Sequence, residues 1–192
     1  MDDFTKRLQQ VLISQKADVQ TELDTRLAAV LIPLYLHDGA WHALYTKRTD
    51  EVEDHRGQVS FPGGVIEPDD ESYESAALRE TQEEIGIDPA EVKILGRLDS
   101  LLTITQFQIV PVVGVIPWPH KLTLNPIEVA SVFGVPIEWL SDPAHLETLF
   151  EGNSGSGPHF PIYAFKPYQG EVIWGATARI TRNLLQVLDL LK

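Results

Sequence analysis

Glu80, Glu83 and Glu84 follow one another at intervals of three and four residues, the spacing that brings side chains onto one face within a single helical turn. Three carboxylates so close repel one another, and a bound cation relieves the repulsion. The chain has no cysteine, so a metal ion here must be held by oxygen or imidazole. The ordinary alternative is a solvated helix face, where most glutamates lie. Context separates the two readings. Gly63-Gly64 precede the cluster, Glu71 and Arg79 lead into it, and Gly86 closes it.

The helix that carries these residues is expected over Ser72 to Ile85, a stretch without Gly or Pro that follows acidic residues and stops at Gly86. Its other side, Ala77, Leu78, Thr81 and Ile85, reads as a core-facing stripe, with small Ala76 and Ala77 allowing close packing. Before it, Asp50 to Asp70 is polar and carries Gly57, Gly63, Gly64, Pro62 and Pro68, which predicts a long shaped loop. Arg26 to His37 and Trp41 to Lys47 flank Asp38-Gly39 and predict a hairpin. An amphipathic helix is expected over residues 4–23, where Phe4, Leu8, Val11 and Leu12 recur at helical spacing. After the glutamate helix, strands are expected over 92–102, 107–116, 132–137, 162–165 and 172–174, with a short helix over 143–150. A flexible loop over 151–158 and a closing helix over about 176–191 complete the pattern. Strands mixed with helices at both ends and in the middle point to an α/β sandwich.

At 192 residues and 43% hydrophobic composition, one substantial core is expected, so residues 1–192 are read as a single domain. The formal charge of −13 argues against nucleic acid as a partner, because that binding depends on neutralising phosphates with Lys and Arg. A small phosphorylated substrate is compatible with the acidic surface if a cation or a few basic residues supply positive charge locally. Met1-Asp2-Asp3-Phe4 is acidic and does not resemble a secretory signal, and the apolar run Leu27 to Leu36 is roughly half of what a membrane span needs. No membrane partner and a cytoplasmic location are the resulting expectations.

The segment Gly64 to Ile87 resembles the Nudix box, G-x5-E-x7-R-E-U-x-E-E-x-G-U with U aliphatic, through Glu71, Arg79, Glu80, Glu83, Glu84, Gly86 and Ile87. It departs from that pattern in two places: six residues separate Gly64 from Glu71, and Thr81 takes the first aliphatic position. The resemblance implies a Nudix-type α/β/α sandwich with a mixed sheet, residues 1–25 as an amino-terminal helix and residues 63–87 as the box. It also implies hydrolysis of a diphosphate bond with Mg²⁺ or Mn²⁺. A hard cation suits that chemistry because the anionic diphosphate resists water until its charge is neutralised. Glu80, Glu83 and Glu84 are the implied metal ligands, joined by the carbonyl of one of the paired glycines, here Gly64. Arg79 is read as fixing Glu71 or a ligand carboxylate through a two-point contact. Glu83 in the box and Glu128 in a later loop are the two candidates for the general base.

Upstream, Leu44-Tyr45-Thr46-Lys47-Arg48 leads to Gly57-Gln58-Val59-Ser60-Phe61-Pro62-Gly63-Gly64, which resembles the extended signature of the coenzyme A pyrophosphatase branch. Asn125-Pro126 with Glu128-Val129, then Val135-Pro136 and Ile173 to Ala178, look like its downstream landmarks. That branch cleaves coenzyme A or its acyl form to 3′,5′-ADP and the corresponding 4′-phosphopantetheine. Lys47, Arg48 and Arg56 are the cations that could meet the phosphates, whereas His55 lacks a second histidine at ligand spacing and is read as a loop residue. Trp174 reads as core. Other readings are a Nudix enzyme for ADP-ribose or a dinucleotide, and a catalytically silent nucleotide sensor. A homodimer paired through the amino-terminal helix is a further expectation.

Overall fold

The turn at Asp38-Gly39 joins strands β1 (Arg26–His37) and β2 (Ala40–Arg48), and both turn residues take positive φ, 48° and 79°. A two-residue hairpin turn matched to strand twist requires that pair of conformations. The computed structural model describes residues 3–15, 17–18, 25–49, 57–150 and 161–191. The expected flexible loop at 151–158 and the first part of the expected loop, residues 50–56, lie outside them.

β1 and β2 pair only near their turn, from His37↔Ala40 to Leu34↔Ala43. Beyond that they splay apart. The chain that follows β2 fills the wedge: β3 (Val59–Ser60) pairs with β2, and β4 (Gly63–Val65) pairs with β1 through Ala29↔Gly64. The segment expected to be irregular therefore contains two short strands. Diverging strands leave backbone groups that must find partners, and this segment supplies them, as when Leu31 N–H donates to the Pro62 carbonyl at 2.9 Å.

Helix α2 (Tyr73–Ile85) forms where expected, capped by Ser72 at one end and at the other by Gly86 at φ 76°. Strands β5 (Lys93–Arg97) and β6 (Leu101–Leu102) both pair with β7 (Phe107–Val115), so the single strand expected over 92–102 is interrupted after an irregularity at Gly96. β7 runs parallel to β1, and β8 (Val129–Pro136) pairs with the other edge of β2. Together these eight strands make one mixed sheet. Helix α3 (Ile137–Leu140) follows β8. Residues 143–150, expected to be helical, instead make one 3₁₀ turn and strand β9 (Leu146–Phe150), because β10 (Ile162–Phe165) is there to pair with it. Val172 to Trp174 holds only the isolated bridge Ala164↔Trp174, and α4 (Gly175–Val187) closes the chain four residues earlier than expected.

Helix α1 (Asp3–Gln15) is shorter than the expected 4–23. Asp18 is already tied elsewhere: its N–H donates to Asp99 Oδ1 at 2.9 Å and its carbonyl accepts from Ser100 N–H at 3.0 Å. Residues 16 and 19–23 of that expectation lie outside those described.

The layers follow from strand periodicity. Ala29 and Leu31 of β1 pack with Val112 against Ala76 and Ala77 of α2, while Ile32 and Leu34 face Leu8 and Leu12 of α1 and Leu184 and Leu185 of α4. The result is an α/β/α sandwich. The apolar face of α1 is spent on this core, so the helix proposed to pair subunits has Leu8 and Leu12 buried within its own chain. Among the described residues no helix is long and apolar enough to cross a membrane.

The start of α2 is fixed by a reciprocal pair, Ser75 N–H to Ser72 Oγ at 3.0 Å and Ser72 N–H to Ser75 Oγ at 2.8 Å. Ser72→Ala should therefore cost about 1 kcal/mol, which for a chain of this size lowers the melting midpoint by roughly 2–4 °C. An unchanged midpoint in a thermal melt would remove the cap from the account.

Candidate active site

The three box glutamates do not share one wet face. Glu84 lies on the same helical stripe as Ala77 and Thr81, facing the sheet, and is 3% exposed, whereas the Glu83 side chain is 56% exposed. Glu80 stands between them, half-buried. Leu78, expected in the buried stripe, is only partly buried.

A carboxylate on the inner face needs an opening in the sheet, and the splayed hairpin provides it. Arg48, at the end of β2, brings its Nη1 to 3.9 Å from Glu84 Oε1. The Gly63 N–H also favours the charged form. These contacts do not offset removal from water: burial, reinforced by Glu128 and Glu80, pushes the Glu84 carboxyl up to about 8. Glu84 Oε2 and Arg48 Nε are both buried without a hydrogen-bond partner. Glu80 is likewise raised, first by burial, with Arg79 opposing and Glu83 and Glu128 adding to it. A Cβ at Gly64 would meet the Glu80 carboxylate, so a larger residue here would displace that carboxylate from its place.

Arg79 organises the outer side. It grips Asp70 at two points, Nε to Oδ1 at 3.2 Å and Nη2 to Oδ2 at 3.0 Å. Its Nη1 reaches Glu80 Oε1 at 3.0 Å and Glu83 Oε2 at 3.3 Å, and Nη2 also donates to the Val65 carbonyl at 3.2 Å. The two-point contact expected for Arg79 is thus made, but to Asp70 rather than to Glu71, which is exposed. Hydrogen bonding to Arg79 holds the Asp70 carboxyl below the usual carboxylate range. Asp70 was legible in principle: five residues separate it from Gly64, the spacing the box calls for, with Asp in place of Glu.

The loop before β8 docks on the carboxyl end of α2. Thr123 N–H donates to the Ile85 carbonyl at 3.0 Å and Asn125 N–H to the Glu84 carbonyl at 2.9 Å, satisfying acceptors that a helix end leaves free. Asn125 then turns its Nδ2 to Glu128 Oε1 at 3.0 Å. Thr49 fastens the same loop to β2, donating from Oγ1 to the Ile127 carbonyl at 2.6 Å and from N–H to the Glu128 carbonyl at 3.0 Å. Glu128 is in this way carried from a distant part of the sequence to where its charge acts on Glu80 and Glu84. Sequence reasoning missed Asn125 and Thr49 as its supports, since each depends on a contact with a segment far away in the sequence.

Of the remaining candidates, Lys47 and Arg48 part company. Adjacent residues of a strand face opposite ways, so Arg48 joins the carboxylates while Lys47 pairs with Glu171 at 2.8 Å on the α4 side. Arg56 and His55 lie outside the described residues. Among the described residues no three carboxylate or imidazole groups already surround one point, since Arg79 draws Glu83 outward. The donor set nevertheless suits a hard divalent cation. Its members are oxygens, they repel one another, and one of them, Glu84 Oε2, is buried and unmet.

Residues 25–149 match the NUDIX domain family. The protein named "Uncharacterized Nudix hydrolase NudL" from Enterobacter sp. (strain 638) is 39% identical over 184 residues, covering 96% of this chain and 92% of that relative. Among solved structures, a MutT/nudix family protein from Enterococcus faecalis superposes with a TM-score of 0.52 at 15% identity, over 92% of this chain and 72% of the other. The C. elegans Ap4A hydrolase in a binary complex gives 0.50 at 19% identity, over 59% and 82%. Both structural likenesses concern the fold. The chain belongs to the Nudix hydrolase family, enzymes acting on pyrophosphate bonds that generally need divalent metal ions.

The buried carboxylate makes a test that needs no substrate. Because burial raises the folded-state pKa of Glu84 from the ordinary 4.5 to about 8, its protonated form favours folding below that range, and the advantage is lost as pH rises through it. In metal-free protein, Glu84→Gln should therefore raise the melting midpoint by roughly 2–4 °C for each kcal/mol of relieved desolvation, with a larger gain at about pH 9 than at about pH 5. A gain that shrinks with rising pH would contradict this placement of Glu84.

Proposed function

We propose that the chain hydrolyses the diphosphate of coenzyme A or acyl-coenzyme A, releasing 3′,5′-ADP and 4′-phosphopantetheine or its acylated form. The observation that carries this reading is the approach of Arg48 to Glu84. It joins the basic segment of the extended signature to the carboxylates of the box, through a run, Gly57 to Gly64, whose strands fill the wedge between β1 and β2. The guanidinium Nε left unmet there suits a phosphate oxygen.

In this reading Glu80, Glu83 and Glu84, with the Gly64 carbonyl, would hold Mg²⁺ or Mn²⁺, which neutralises the diphosphate and polarises the attacked phosphorus. Glu83 would have to exchange its contact with Arg79 for that role, and its exposure leaves it free to do so. Arg79, anchored on Asp70, positions Glu80. Glu128 is the base we favour: it stands beside Glu80 and Glu84, oriented by Asn125, and takes a proton from the attacking water while the bridging phosphorus–oxygen bond breaks toward the leaving phosphate. Glu83, bonded to Arg79, is less suited to accept a proton.

Two measurements test the proposal. Coenzyme A, 3′-dephospho-coenzyme A, ADP-ribose and Ap4A would be compared with Mg²⁺ or Mn²⁺. The expected result is the highest kcat/KM on coenzyme A with 3′,5′-ADP as product, and faster turnover of ADP-ribose or Ap4A would end the substrate claim. For the base, Glu128→Gln should lower kcat by about 10²–10⁴ while calorimetric binding of Mn²⁺ persists. A Glu128→Gln protein with undiminished kcat would return the role to Glu83.

A further inference from the structure

Of the described Phe, Tyr and Trp side chains, one is left exposed. Trp174, expected to be core, is 42% exposed. The other three tryptophans are each paired with a ring: Trp41 on Phe4 with centroids 4.9 Å apart, Trp118 on Tyr35 at 4.2 Å, and Trp139 on His145 at 4.1 Å. Trp174 has no ring or cation over it among the described residues. An exposed indole on a frayed segment would mean little, but this one has a fixed backbone. It bridges Ala164 of β10, the Ile173 carbonyl before it accepts from Phe165 N–H at 2.8 Å, and Gly175 at φ 62° turns the chain directly into α4.

Its place in the fold is also specific. Thr177, less than one turn into α4, donates from Oγ1 to the Val59 carbonyl at 3.0 Å, and Val59 pairs in register with Lys47. Lys47 in turn holds Glu171 at 2.8 Å, three residues before the indole. The next residue of the same strand is Arg48, which faces Glu84. Trp174 and the carboxylates therefore flank the same end of β2 from opposite faces, with Lys47 and Arg48 between them. In a nucleoside diphosphate one ribose separates the diphosphate from the base, so a platform for the base of a substrate anchored among the carboxylates is expected near this end of β2. The two cations along the way suit the anionic part of such a molecule in an otherwise acidic protein.

We propose that Trp174 is a specificity-determining residue, the platform on which the nucleobase of the substrate stacks. The proposal rests on the reading of the site as one for a nucleoside diphosphate derivative. It does not depend on coenzyme A, since ADP-ribose and Ap4A carry adenine as well.

The test uses the full chain with metal, comparing wild type, Trp174→Phe and Trp174→Ala on the best adenine substrate of the panel above and on a diphosphate ester in which ribose alone replaces the nucleoside. Trp174→Ala should raise KM on the adenine substrate by roughly 5- to 150-fold with little change in kcat, and Trp174→Phe should retain most of the affinity. KM on the base-free ester and the melting midpoint should stay where they are. In a second readout, ADP should quench indole emission of the wild type and not of Trp174→Phe. An unchanged KM in Trp174→Ala, an equal rise on the base-free ester, or quenching that survives in Trp174→Phe would each overturn the platform. Preference of the wild type for ADP-ribose would sink the coenzyme A reading and leave this comparison intact.

Discussion

A glutamate buried beneath a β-sheet is costly, and the placement of Glu84 governs much of what surrounds it. Its carboxylate has one oxygen near Arg48 and another with no partner. Such a group is stable in the folded chain only if it binds a proton or something with positive charge. The fold does little to lower that cost. It brings Glu80 and Glu128 close enough to raise it, and keeps the Arg48 guanidinium at 3.9 Å. A site that repels its own charges in this way suits a divalent cation, which enzymes of this family generally need.

The splayed hairpin is what makes the placement possible. Had β1 and β2 stayed paired along their length, Arg48 would lie against β1 and no chain would pass between them. Instead β3 and β4 occupy the wedge, bringing Gly63 and Gly64 under α2. Arg79 then ties the outgoing loop to the helix through Asp70 and Val65, while Thr123 and Asn125 close its other end. Helix, glycine turn and the later loop are thus connected by hydrogen bonds around Glu84 rather than by apolar packing alone.

Features that depend on a few neighbouring residues were legible in the sequence. Asp38-Gly39, the Ser72 and Gly86 ends of α2 and the extended run of β1 all formed where expected, because turn and cap chemistry is local. Features settled by a distant partner were not. β9 became a strand because β10 pairs with it, and residues 59–60 and 63–65 did so because two strands diverge beside them. In the site, the same division holds. The identities of the glutamates were readable, but periodicity alone assigned all three to water, since nothing in a carboxylate's type says that it can stand in an apolar stripe. Lys47 and Arg48 were grouped with Arg56 as candidate cations; the expected strand stopped at Lys47, whereas β2 runs on through Arg48 and turns the two side chains to opposite faces.

The parallel pairing of β1 with β7 joins Arg26 to Phe107, and the site draws on residues from Arg48 to Glu128. Contacts so far apart along the chain form late, because the entropy of closing the intervening segments must be overcome before any of them is rewarded. The consequence concerns time. An unfinished or partly folded chain has the glutamates on an isolated helix but no sheet to bury Glu84, no wedge to hold Gly64 and no Glu128 beside them. Hydrolytic competence therefore arrives only with the complete tertiary structure.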